Sequence, residues 1–236
     1  TELWKNKTTT ESTTTPYTLN VLEDKPDCIK CELHEQAQSV GMKTHLYSSA
    51  CEGHVLLVIG QNPGWSEDKS NQPFVSRGGQ ILKKAYFGGV DLTSRCTIWL
   101  SNGVRCHTEN NQTPKPRHFL ECNQYLIEDL QQLCPDYVLT LGASATTSFY
   151  KNILGTPKMS LTKSFSLNGN LHTESEHKVK GVGDFHLFST YHPAAVIRNN
   201  NHINSVHSHM QLLSDCIDGT MASPTAPDIV PTRSPK

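Results

Sequence analysis

Four short runs of β-forming residues, each followed by a segment with helical apolar spacing, constrain the fold of this chain more than any other feature. The runs are "HVLLVIG" (54–60), "CTIWLSN" (96–102), "DYVLTLG" (136–142) and "FHLFSTY" (185–191). Their apolar residues are continuous rather than alternating, the pattern of strands covered on both faces. "GGQILKKAYF" (78–87) follows the first run and "KPRHFLECNQYLIEDLQQLC" (115–134) the second. "ASATTSFYKNIL" (143–154) follows the third and "NHINSVHSHMQLLSDCI" (201–217) the fourth. This alternation predicts an α/β fold, a three-layer α/β/α sandwich around a central four-stranded, largely parallel sheet. Sheets of this kind bind ligands beyond the carboxyl ends of their strands. Gln61-Asn62, Asn102 and His192 all fall there.

The stretch that carries this pattern, residues 21–218, is long enough for one well-buried domain. The threonine-rich segment 1–20 is expected to be a flexible lead-in, and the Pro, Ser and Thr of 219–236 a disordered tail. A formal net charge of −1 supplies no global positive field, so any nucleic-acid contact must rest on a local basic face. No apolar run is long enough to span a bilayer, and the N-terminal residues lack a secretory pattern. The expectation is a cytoplasmic protein with no membrane partner, whose thiols stay reduced.

In that setting the eight cysteines suggest metal ligation before disulfides. Cys28 and Cys31 form a CxxC pair, and Cys106 and Cys122 stand with fifteen residues between them. Four thiolates can close around zinc or around an iron–sulfur cluster. A structural zinc site more often closes with a second tight pair. Here one cysteine falls in a loop and one on a helix, which favours the cluster and leaves zinc as the alternative. Cys51, Cys96, Cys134 and Cys216 are expected to be unrelated thiols.

Four segments, in order, resemble a known family. "GQNPGWSEDKSNQPFVSRGGQIL" (60–82) is similar to the pattern GEAPGxxEDxxGxPFVGxAGxLL of the iron–sulfur uracil-DNA glycosylases, family 4 of the uracil-DNA glycosylase superfamily. "NGVRCHTENNQTP" (102–114) resembles their NxxKCRPPxNRxP segment, with Cys106 in register. "CPDYVLTLGASA" (134–145) and "STYHPAAVIRN" (189–199) resemble their third strand and final motif. The resemblance spans about residues 25–217. It implies a uracil-DNA glycosylase-like sandwich and a [4Fe–4S] cluster on Cys28, Cys31, Cys106 and Cys122. It also implies a monomer that flips a pyrimidine out of DNA and hydrolyses its N-glycosidic bond.

The departures from the family form carry information of their own. Gln61 and Asn62 replace the usual Glu and Ala, and Asn71 and Ser76 stand where glycines are common. His107-Thr108-Glu109 replaces a proline-containing stretch. The Gly-x-Asn-Pro-Gly form is closer to the mismatch-specific and single-strand-selective branches of the superfamily. Those branches position a water with the Asn, and some members accept bases modified at C5.

The resemblance then implies roles, residue by residue. Asn62 orients water without acting as a base, so that electrostatics must stabilise a cation-like transition state. His192 donates to the pyrimidine O2 as charge develops there. Asn102 pairs with the edge of the flipped base, Phe74 stacks on it, and Gln61 lines the pocket. Gly64 leaves room at C5, where the most uracil-restricted branch carries a Tyr, so Trp65 to Asp68 decide what fits. Arg198 reaches into the vacated stack, and Arg105, Lys115 and Arg117 are candidate phosphate contacts. No lysine is placed as a Schiff-base nucleophile, so base release without strand cleavage is expected. DNA containing uracil is the default substrate, and a C5-modified pyrimidine, as in phage DNA, removed in phage defence, is the alternative. A base-binding module without catalysis is the competing reading of another kind.

Overall fold

The computed structural model describes residues 22–50 and 53–220. The expected flexible lead-in, Cys51 and the tail from residue 221 onward lie outside them. In chain order the regular elements are β1 (His45–Ser48), β2 (His54–Gly60), α1 (Trp65–Ser70), α2 (Arg77–Ile81), β3 (Cys96–Asn102), α3 (Pro116–Leu133), β4 (Tyr137–Leu141), α4 (Gly142–Asn152), α5 (Leu161–Phe165), β5 (Asn170–His172), β6 (Phe185–Thr190), α6 (Pro193–Arg198) and α7 (His202–Ile217). Helix α2 continues as a π-helical turn over Leu82–Phe87.

The strands form one sheet in the order β1-β3-β2-β4-β6-β5. The four strands expected from sequence are its parallel centre, with β2 paired to β3 and β4, and β4 paired to β6. The expected count of four is corrected to six, because β1 and β5 add antiparallel edges. β1 is half-buried at every position and β5 has three residues, so neither carries the continuous apolar run of a central strand.

Pleating divides β2 between two cores. Leu56 and Val58 face Leu82, Tyr86 and Phe87 of the α2 segment and Val206, Met210 and Leu213 of α7. Leu57 and Ile59 face Leu126 and Leu130 of α3 and Phe149 and Tyr150 of α4. All four of these β2 side chains are essentially inaccessible, as continuous apolar strands require. A third cluster, of Leu33, Val104, Phe119 and Tyr125, packs around Cys28, Cys31, Cys106 and Cys122.

From β2 the chain crosses to β3 on one side, then returns past β2 to β4 on the other. The β2/β4 boundary is therefore a topological switch point, where flanking loops diverge and leave a crevice at the carboxyl edge.

Burial lowers the pKa values of His45, His172 and His209, and the Nε2 atoms of His45 and His172 lack a hydrogen-bond partner among the described residues. The fold favours the neutral form of these imidazoles relative to the unfolded chain, which protonates them near about 6.5. Stability is fully expressed above that pH and falls as pH drops below it, because the unfolded state then binds more protons. Thermal melting at pH 7.5 and pH 5 is expected to show a clearly lower midpoint at pH 5.

Candidate active site

A cavity of about 690 Å3 occupies the crevice. Each central strand delivers residues to it at its carboxyl end. β2 leads into Gln61, Asn62, Pro63 and Gly64, and β3 ends in Asn102. β4 leads into Gly142, Ala143 and Ser144, and β6 is followed by Tyr191 and His192. Glu67 of α1, Phe74, Arg77 and Arg198 complete much of the wall.

The base of the cavity is tightly drawn. A side chain at Gly60 would put its Cβ 2.5 Å from Asn102 Oδ1 and 2.6 Å from Phe74 Cζ, so only glycine lets the amide and the ring converge there. Phe74 is held at φ 55°, a backbone region that bulky residues adopt only under external constraint. Asn102 is buried beside it and faces the same cavity.

The turn after β2 is pinned by the loop after β3. Gly103 N–H donates to the Gly60 carbonyl at 2.9 Å and Val104 N–H to the Gln61 carbonyl at 3.0 Å. Asn62 Nδ2 donates to the Pro63 carbonyl at 3.0 Å and to Thr108 Oγ1 at 3.2 Å, and Gln61 Nε2 donates to Asn62 Oδ1 at 3.2 Å.

His192 caps α6, and its Nδ1 accepts the Ala194 N–H at 3.2 Å. With Nδ1 as acceptor, the neutral ring carries its proton on Nε2. Burial pushes the His192 pKa down to about 4, and the nearby Arg198 charge adds to the shift against the opposing pull of Glu67. The turn beneath it needs Gly142, which sits at φ 82° and whose Cβ would lie 2.9 Å from that of His192.

One expectation is corrected here. Arg105 is 4% exposed, ion-paired with Asp129 and hydrogen-bonded to the Met42 carbonyl, so its guanidinium is not presented to a phosphate. Gly64 lines the cavity, and the nearest group to the space beside it is a carboxylate, Glu67 Oε2, 2.7 Å from where a Cβ would lie. That carboxylate is buried, and its Oε1 accepts the Ser76 N–H at 2.9 Å. Of Trp65 to Asp68, Glu67 alone lines the cavity. Trp65 is exposed, and Asp68 accepts the amides of Gln38 and Ser39.

The remaining basic candidates are scattered. Arg198 stands exposed at the cavity and Lys115 is exposed at the start of α3, while Arg117 pairs with Glu32 on the surface. Sequence reasoning missed Arg77, Thr108 and Asn111. Glu67 it placed only within a group, although the ED pair of the family pattern aligns with Glu67-Asp68.

The four proposed ligand thiols come from the 28–31 turn, the loop after β3 and helix α3. Gly41 N–H donates to Cys106 Sγ at 3.4 Å, and the backbone amides of Leu33 and Arg105 lie against the sulfurs of Cys31 and Cys122. Burial pushes the Cys106 thiol up to about 11 and Cys122 up to about 12. An all-sulfur donor set with amides aimed at the sulfurs in an apolar shell is chemically suited to a thiolate-bound cluster. Among the described residues, no three His, Cys, Asp or Glu side chains converge as a site for a single ion. No helix among the described residues is long and apolar enough to cross a membrane.

A crevice at the switch point of a parallel sheet, walled by two asparagines, a neutral histidine and a buried ring, lies where folds of this class place their ligand sites. The uracil DNA glycosylase superfamily matches residues 50–211, and the chain belongs to that superfamily. It is similar to the type-4 uracil-DNA glycosylase of Thermotoga maritima, at 28% identity over 183 residues covering 76% of this chain and 82% of the relative. The type-4 uracil-DNA glycosylase of Pyrobaculum aerophilum is 30% identical over 178 residues, 73% of this chain and 80% of its own. Membership places the chain among the DNA glycosylases, hydrolases of N-glycosyl bonds.

Proposed function

We propose that this protein is a monofunctional DNA glycosylase that takes a flipped pyrimidine into the cavity and releases it by hydrolysis, with uracil as the default base. The observation that carries this is the convergence of Asn62, Asn102, Phe74 and His192 on one crevice. In the proposed mechanism, Phe74 stacks on the base and the Asn102 amide pairs with its edge. As the glycosidic bond lengthens, negative charge grows on the pyrimidine O2, and the Nε2–H of neutral His192 donates to it. The sugar becomes cationic, Asn62 holds the water that captures it, and the proton that water gives up ends on the departing base anion, leaving a sugar hydroxyl and the free base. An amide cannot take a proton as a base, so bond cleavage runs ahead of water attack, and the buried Glu67 carboxylate favours the developing positive charge.

Cys28, Cys31, Cys106 and Cys122 are the residues that would hold a [4Fe–4S] cluster, which would tie the 28–31 turn to the loop after β3. In this reading its contribution is structural, and no step of the hydrolysis passes through it.

Glu67 favours a second substrate reading. A bare methyl at C5 would desolvate its carboxylate, whereas a hydroxylated substituent could donate to it. A cavity of about 690 Å3 also lies within the range of about 300–1,000 Å3 that accommodates ligands much larger than one pyrimidine.

Oligonucleotides bearing uracil, thymine, 5-hydroxymethyluracil or glucosylated hydroxymethylcytosine, treated with alkali after incubation, separate these readings. Cleavage is expected at uracil and not at thymine. Cleavage confined to uracil excludes the C5-modified substrates, and no cleavage at any base leaves only a binding module.

A further inference from the structure

The loop after β3 joins three parts of the molecule within seven residues. Asn102 faces the cavity, Cys106 lies among the clustered thiols, and His107 and Thr108 reach back to the turn after β2. His107 Nδ1 lies 3.1 Å from the Pro63 carbonyl oxygen, which can only accept, so that nitrogen carries a proton. Thr108 is buried, and its Oγ1 donates to the Gln112 carbonyl at 2.5 Å.

A hydroxyl has a single proton. With that proton committed to Gln112, Thr108 offers Asn62 only lone pairs. The Pro63 carbonyl offers the same. Both partners of Asn62 Nδ2 are therefore acceptors, and a reversed amide would set Oδ1 against two oxygens. The observed orientation leaves Oδ1 to accept from Gln61 Nε2 at 3.2 Å and to keep one lone pair free.

That orientation matters to a water attacking a sugar cation. The water must turn a lone pair toward the carbon and its protons toward acceptors. An amide oxygen satisfies that geometry. An amide N–H in its place would bond to the electrons the attack requires.

We infer that Thr108 is a positioning residue, locking the Asn62 amide so that its oxygen is presented to the attacking water. The inference rests on the proposed role of Asn62 and extends it to a residue that departs from the family's proline-containing segment. Cys106 and His107 hold the same loop from the other side, so the lock is built into the strand-to-thiol connection.

Single-turnover rates on a uracil-containing single strand, for T108V, T108S, N62A and N62A/T108V, test this directly. T108V removes the bond to Gln112 along with the one from Asn62, and is expected to lose about tenfold in single-turnover rate with the half-saturating DNA concentration little changed, the effect of freeing a part-buried donor. T108S, which keeps the hydroxyl, is expected to stay within about twofold of the parent. In the N62A background, T108V is expected to add nothing, because the residue acts through Asn62. An equal loss with and without Asn62 overturns the inference. A wild-type rate in N62A instead overturns the role of Asn62, which is a separate result.

A second measurement does not depend on turnover. The side-chain amide protons of Asn62, identified by their absence in N62A, should exchange slowly with water in the parent and T108S and rapidly in T108V. Unchanged exchange in T108V would refute the lock.

Discussion

His192→Ala is expected to lower the rate of base release by about 10²–10³-fold, the usual loss when one preorganised donor to a developing oxyanion is removed. The geometry behind this is specific. Nδ1 is occupied by the Ala194 N–H at 3.2 Å, so the donor available to the cavity is Nε2–H of a neutral ring. Removing the cap of a six-residue helix adds a stability loss of about 1 kcal/mol. That loss is small beside the kinetic one, so the melting midpoint should move little while the rate collapses.

The pH dependence separates a neutral donor from a charged one. Burial, reinforced by Arg198, holds the folded pKa of His192 at about 4. Between pH 7 and pH 5 the ring stays neutral, so protonation of His192 should produce no step in the single-turnover rate. A catalytic imidazolium would behave oppositely, losing rate as pH rises past about 6.5. A rate falling across that upper range, and insensitive to His192→Ala, would remove the histidine from the mechanism.

The fold was legible where strands are buried on both faces. β2, β3, β4 and β6 each carry a run of apolar β-formers, and the helices between them carry apolar stripes, so the parallel centre follows from periodicity alone. The edges follow from nothing local. "HLYS" and "NLH" pair through backbone with β3 and β6, and backbone pairing leaves no signature in side-chain pattern.

The cavity was legible for a related reason. In a parallel sheet every central strand ends on one edge, so polar residues just past the apolar runs meet there. Asn62, Asn102 and His192 were readable by position, and the family resemblance assigned their roles. Charge was read poorly. Arg105 looks like any loop arginine, and only the fold brings Asp129, Thr44 and Ser101 together and encloses the guanidinium. The neighbour of Gly64 was not legible either, because the carboxylate beside it stands three positions further along, on the next turn of chain. Thr108 was visible only as a departure from proline, and its value depends on a hydroxyl proton already spent on Gln112.

Cys122→Ser is expected to have the largest effect on the folded protein. Protein prepared anaerobically should show broad absorbance near roughly 400 nm, as expected for a thiolate-bound iron–sulfur cluster, and the variant should lose it. Binding energy at such a site is folding energy, because the ligands are brought together only in the native state. At about 2–4 °C per kcal/mol for a chain of this size, losing several kcal/mol lowers the melting midpoint by about 10 °C or more. Activity is expected to fall with it, because Cys106 precedes the two residues that hold Pro63 and Asn62. Cys134→Ser supplies the control, since Cys134 is exposed at the end of α3 and is not part of the thiol cluster. It should keep both the absorbance and the midpoint. If Cys122→Ser kept them as well, the four thiols would be packing groups, and the 28–31 turn would be held to α3 by Leu33, Phe119 and Tyr125 without a cluster.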